Sequence, residues 1–173
     1  MRATEELRSD HVALRAKLAR VERLLHLTHG PQAPLREAAA SLACRLGCHE
    51  NKEEFLIALL QERLHDPAKV ATHQLLEDHQ GFSSDVTAIL ELLRKGEDAP
   101  AEQLKVRLSR LISTLREHMA LEEATVFPEI DRSLGAKPSG DANRLLHLID
   151  RCYASEQRAA ASEEMVAAAG QER

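Results

Sequence analysis

Residues 35–60 read LREAAASLACRLGCHENKEEFLIALL. At helical spacing Leu35, Ala39, Leu42, Leu46, His49, Glu53, Leu56 and Leu60 advance in steps of four and three, so they share one face of a helix. Six of these eight are apolar, which is the stripe of a helix that packs into a bundle. In its middle stand an imidazole and a carboxylate, where packing alone would place leucine. Burying either without a partner costs on the order of several kcal/mol, so the pair needs companions or a metal ion.

The pattern extends in both directions. An earlier helix carries Leu7, His11, Leu14, Leu18, Val21 and Leu25 on one face. A third reads Leu76, His79, Ser83, Val86, Leu90 and Leu93, and a fourth Leu104, Leu108, Leu111, Leu115, His118, Glu122 and Thr125. Breakers separate them: His29-Gly30-Pro31 through Pro34 is a loop, Asp66-Pro67 a helix start, Lys95-Gly96 a stop before a restart around Asp98-Ala99-Pro100, and Phe127-Pro128 and then Ser133 to Gly140, with Pro138, close the fourth segment. Helices are therefore expected at roughly residues 4–27, 34–63, 67–95 and 100–128, with a shorter fifth beginning near Asp141. Short connections make neighbours antiparallel, so the predicted fold is all-α: an up-down-up-down four-helix bundle with an additional C-terminal helix. Residues 1–132 form the bundle and 133–173 a linker and C-terminal helix or tail, through which a homodimer could form.

Composition removes other classes. The chain has 173 residues, 7 glycines, 6 prolines and 2% aromatics, too few turn and aromatic residues for a β-sandwich or barrel. A net charge of -5 and scarce aromatics oppose backbone-phosphate binding and base stacking, so no nucleic-acid partner is expected. No apolar run reaches the roughly 18 residues of a membrane span, and the acidic start resembles no secretory signal. Three cysteines without a disulfide layout suit a reducing compartment, so a cytoplasmic location is expected.

The chain also repeats itself. Asp10-His11 recurs as Asp78-His79, 68 residues on, and His49-x-x-x-Glu53-Glu54 recurs as His118-x-x-x-Glu122-Glu123, 69 residues on. Two helix hairpins thus carry matching sets, and counting from the turns puts His11, His49, Glu53, His79, His118 and Glu122 at a common depth. Six such groups are too many for one ion in a helical core. Divided by the repeat, each of two ions takes two histidines, while Glu53 and Glu122 span a separation of about 3.5–4 Å. Imidazole and carboxylate donors without inward cysteine suit iron, manganese or zinc. Glu50, about 70° from the stripe at 3.6 residues per turn, could supply an extra oxygen.

The remaining polar and aromatic residues take lesser roles. Glu54, Glu123, Asp10 and Asp78 are flank charges or acceptors for imidazole N–H groups. His26, His29 and His65 lie at helix ends, His73 on the surface, and His147 reaches the centre only if the fifth helix folds over it. Cys44 and Cys48 read as small packed residues, with a redox-sensitive pair as the alternative; Cys152 belongs to the C-terminal helix. Phe55, Phe82 and Phe127 read as core, with Phe82 placed to wall a cavity.

Taken together, His11, His49-Glu50-Asn51-Lys52-Glu53-Glu54, His79, and His118-Met119-Ala120-Leu121-Glu122-Glu123 followed by Val126-Phe127-Pro128 resemble the hemerythrin-like (HHE cation-binding) domains, over about residues 8–130. The resemblance implies a non-haem di-iron centre, two oxo- or hydroxo-bridged Fe2+/Fe3+ ions, with zinc or manganese as alternative occupants. Its small partner would be dioxygen, nitric oxide or hydrogen peroxide. The order His-x-x-x-Glu separates the chain from ferritin-like bundles, which use Glu-x-x-His. Oxygen-carrying hemerythrins have a further histidine where this chain has Ser83, and Asp at spacing five where it has Glu122 at spacing four. Both ions should then be accessible, which favours redox, sensing or scavenging chemistry over oxygen carriage. No organic-substrate site is legible, so a peroxide- or nitric-oxide-reducing (catalase/peroxidase-like) enzyme stays open. The alternative is an iron- or redox-sensing module with metal-dependent folding and no turnover.

Overall fold

Each of the four apolar stripes becomes one long helix. The computed structural model describes residues 3–27, 32–60, 62, 64–95 and 101–134. They form α1 (Ala3–Leu25), α2 (Gln32–Leu60), α3 (Asp66–Lys95) and α4 (Ala101–Leu121). α4 runs on through a π-helical turn, Glu122–Val126, into α5 (Phe127–Leu134). α1 packs on α2, α2 on α3, α3 on α4, and α4 back on α1, which closes a four-helix bundle with no strand among the described residues. The helix ends are consistent with their dipoles: Glu5 and Glu6 open α1, and Arg94 and Lys95 close α3. No helix among the described residues is long and apolar enough to cross a membrane. The helix expected near Asp141, with His147, Cys152 and the dimer contact assigned to it, lies outside the described residues, as does His29.

The stripes of α1 and α2, and that of α4 as far as Glu122, are buried, with Leu25 and Leu35 half-buried at their ends. They build two apolar clusters, a larger one around Leu14, Leu18, Leu42, Leu46, Leu108 and Leu115, and a smaller one around Leu7, Leu56, Leu60, Leu75 and Phe127. α3 turns differently from its expected stripe. Leu76 and Leu90 are 37% and 39% exposed and Ser83 is exposed, while Leu75, Phe82 and Ile89 are buried. Both heptad frames share His79, Val86 and Leu93, so the choice falls to Phe82 against Ser83. An aromatic ring buries far more apolar area than a hydroxymethyl group, and the helix rolls to bury it.

The second difference is at the end of α4. Phe127-Pro128 was expected to stop the helix, yet helical structure continues to Leu134. Proline lacks an N–H, and in a regular α-helix its ring meets the carbonyl four residues back. Here the turn before it is widened, and the Phe127 N–H bonds the carbonyl of Glu122, five residues back. The extra residue also rotates the stripe, so that Val126 is buried and Thr125, the expected inward residue, is exposed.

Candidate metal centre

Between the two apolar clusters lies a polar layer to which every long helix contributes. His11, His49, Glu53, His79, His118 and Glu122 are all buried there. The ring nitrogens converge in pairs: His11 Nε2 lies 2.9 Å from His49 Nε2, and His79 Nε2 lies 3.3 Å from His118 Nε2. Two glutamates join the pairs. Glu53 turns Oε1 to His49 Nε2 at 3.3 Å and Oε2 to His79 Nε2 at 3.4 Å. Glu122 turns Oε2 to His11 Nε2 and Oε1 to His118 Nε2, each at 3.1 Å. Each carboxylate thus presents one oxygen to each histidine pair. His11, His49, Glu53 and Glu122 form one group and Glu53, His79, His118 and Glu122 a second, with donor atoms within 4.8 Å of one another in each.

The outward ring nitrogens meet a second circle of carboxylates, each from the neighbouring helix. His11 Nδ1 is 2.7 Å from Glu123, His79 Nδ1 is 3.1 Å from Glu54, and His118 Nδ1 is 3.1 Å from Asp78. Asp10 stands behind His49 at 3.7 Å, beyond hydrogen-bond range, because its Oδ2 bonds Lys52 Nζ at 2.9 Å. A carboxylate at Nδ1 holds the ring proton there and turns the Nε2 lone pair inward. Of the four flank carboxylates, Glu54, Glu123 and Asp78 thus accept from an imidazole, while Asp10 is engaged by Lys52 and Arg45 instead.

Lys52 was not anticipated. It is 0% exposed, and its ammonium bonds Glu6 at 3.0 Å as well as Asp10, whose other oxygen takes Arg45. The sequence held a signal: Glu6 and Asp10 are four apart on α1, facing a lysine between His49 and Glu53.

The electrostatics are those of a site that wants positive charge. Glu53 and Glu122 share one buried space, and burial with Glu122 beside it raises the Glu53 carboxyl well above the carboxylate range. Burial raises Glu122 as well, but His11 and His118 outweigh it and hold that carboxyl down. Without a cation the two carboxyls are thus pushed apart, Glu53 upward and Glu122 downward. Burial pushes His49 down to about 4 and lowers His79 despite Glu54, which keeps both rings neutral as ligands must be. For His118 the burial effect is overcome by Glu122 and Asp78, and its value rises.

These groups fit a cation on structural grounds. All four carboxylate oxygens of Glu53 and Glu122 are buried and aligned with no hydrogen-bond donor, despite their closeness to imidazole nitrogens. Such oxygens are rarely left unsatisfied, and a nitrogen-and-oxygen donor set suits iron, manganese or zinc. Glu50 joins neither group. It is buried beside them with Oε1 also lacking a partner, and burial together with Glu54 pushes its carboxyl up to about 8. Phe127 stacks on His11 at 5.1 Å and Phe82 meets His118 edge-on at 5.0 Å, so aromatic rings close the layer on two sides. His26, His65 and His73 are exposed, as expected, while Cys48 is buried and Cys44 half-buried on α2.

Searches of curated proteins and of solved structures returned no match. The sequence profile described as the hemerythrin HHE cation binding domain matches residues 2–130. That span covers most of the chain and holds every residue of the buried layer, and the chain belongs to the hemerythrin HHE cation-binding domain family.

Proposed function

We propose that this chain is a non-haem di-iron protein that binds, senses or reduces a small oxidant: dioxygen, nitric oxide or hydrogen peroxide. The observation that carries the reading is the placement of Glu53 and Glu122, each with one oxygen toward each histidine pair. In this reading His11 and His49 would hold one iron and His79 and His118 the other, with Glu53 and Glu122 offering an oxygen to each. Glu50, buried beside the layer but outside both groups, is the candidate for a further oxygen donor. The iron pair would supply the electrons that a bound oxidant accepts.

The protein's own groups have definite tasks. Asp78, Glu54 and Glu123 keep the proton on Nδ1 of their imidazoles and so aim Nε2 inward. A cation between the carboxylates would favour the ionised form of Glu53, which burial disfavours, and would so couple metal uptake to pH. Phe82 and Phe127 limit water at the rings. Ser83 is exposed and supplies no nitrogen, so α3 gives the second pair no third imidazole, which favours reaction over oxygen carriage.

The test is anaerobic loading with ferrous iron, then exposure to each oxidant under optical and peroxide-decay measurement. The reading expects near-ultraviolet charge-transfer bands and decay of hydrogen peroxide or trapping of nitric oxide by the loaded protein alone. A spectroscopically silent protein that fills only with zinc would refute it. The sensing version is favoured by the unsatisfied carboxylates, which link folding to metal. Melting on chelation, with peroxide untouched, would select that version.

A further inference from the structure

The repeat that builds the centre is broken in the charges behind it. Behind His11 and His49, Glu123 takes Arg15 at 2.9 Å, and Asp10 takes both Lys52 and Arg45. Each cation has a counterpart by the offset of the repeat, and every counterpart is neutral. Ser83 stands in the place of Arg15, Thr114 in that of Arg45, and Leu121 in that of Lys52. Glu6, the other partner of Lys52, is matched by Gln74, which donates to Asp78 at 3.0 Å.

The two ends of the layer therefore differ in net charge. Behind the first pair, three carboxylates (Glu6, Asp10, Glu123) are balanced by three cations. Behind the second, Asp78 and Glu54 meet no cation among the described residues; their side chains are 31% and 47% exposed. The difference also reaches the imidazoles. Lys52 draws Asp10 away from His49, while Asp78 stays within hydrogen-bond distance of His118. A carboxylate bonded to a ligand imidazole strengthens it as a donor, and a nearby cation weakens the hold on a second cation.

From this we infer that the two ion positions fill in order, the His79/His118 position first and more tightly, with Arg15, Arg45 and Lys52 weakening the His11/His49 position. The ordering rests on the two-ion reading above. It gives the chain a state with one firmly held ion and one exchangeable ion, and assigns the exchangeable ion to the α1–α2 end.

Cobalt(II) alone is the probe, since its visible bands report each binding step without redox chemistry. Titration of the full chain should show two steps whose dissociation constants differ at least about tenfold. His79→Ala should abolish the tight step, whereas His11→Ala should keep it and lose the weak one, with helix content by circular dichroism showing that both variants fold. Arg15→Ser, a partly exposed substitution toward the repeat's own counterpart, should tighten the weak step about three- to fivefold. Two equal steps, loss of the tight step in His11→Ala, or no response to Arg15→Ser would overturn the ordering and leave the two-ion reading intact. Fewer than two cobalt ions per wild-type chain would overturn both.

Discussion

Replacing Glu53 by leucine should stabilise the metal-free protein and destabilise the loaded one. In the metal-free state both oxygens of Glu53 are buried without a hydrogen-bond donor, and burial pushes the carboxyl well above its usual range. An unsatisfied buried polar group costs about 1–3 kcal/mol, and a leucine of similar volume adds about 1 kcal/mol or more of apolar burial. The expected gain is about 3 kcal/mol, which for a bundle of this size raises Tm by about 10 °C. Loading reverses the order. Two ions, each at a thousandfold excess over its Kd, stabilise the wild type by about 8 kcal/mol together, and the variant loses most of this with its bridging carboxylate. Thermal melts followed by circular dichroism, with a chelator and then with ferrous iron under argon, read both signs. If Glu53→Leu lowered Tm by the same amount in both conditions, Glu53 would be part of a polar core satisfied without metal, and the reasoning would fail.

Further outcomes follow from the same layer. Chelated protein should lose stability as pH rises from about 6.5 to 8. Glu50, pushed up to about 8, and Glu53 and His118, both raised, bind protons more strongly folded than unfolded, so their contribution is present at low pH and lost through that window. His49, held at about 4, acts in the opposite sense only below its unfolded value near 6.5, which sets the lower end of the window. A Tm that rises between pH 6.5 and 8 in chelator would contradict this, whereas iron affinity should increase over the same range because a bound cation favours the ionised form of Glu53. Lys52→Met should cost about 3–5 kcal/mol in urea unfolding, since it strips Glu6 and Asp10 of their buried cation. A loss below about 1 kcal/mol would show that water replaces the ammonium there.

Much of the centre was legible because its chemistry falls on a period. Histidine and glutamate at heptad positions of α1, α2 and the α4 segment fall on the inward stripe, and the repeat pairs them. What escaped had no period to betray it. On α3 two heptad frames share His79, Val86 and Leu93, and the aliphatic pairs Leu75/Leu76 and Ile89/Leu90 make them equal until the area of Phe82 decides. The π-helical turn shifts Thr125 out and Val126 in, and only the backbone around Pro128 reveals it. Lys52 was overlooked because a lysine three residues from a seam histidine normally reaches solvent. Its burial depends on Glu6 and Asp10 of another helix, a relation between segments rather than within one.

The most direct test of the account is the number of iron atoms bound per chain at saturating ferrous iron under argon, by native mass spectrometry, in the wild type and in His49→Ala. The account predicts two per wild-type chain, and one in the variant, with the ion at the His79/His118 pair kept. One or none in the wild type, or two in both proteins, would contradict it.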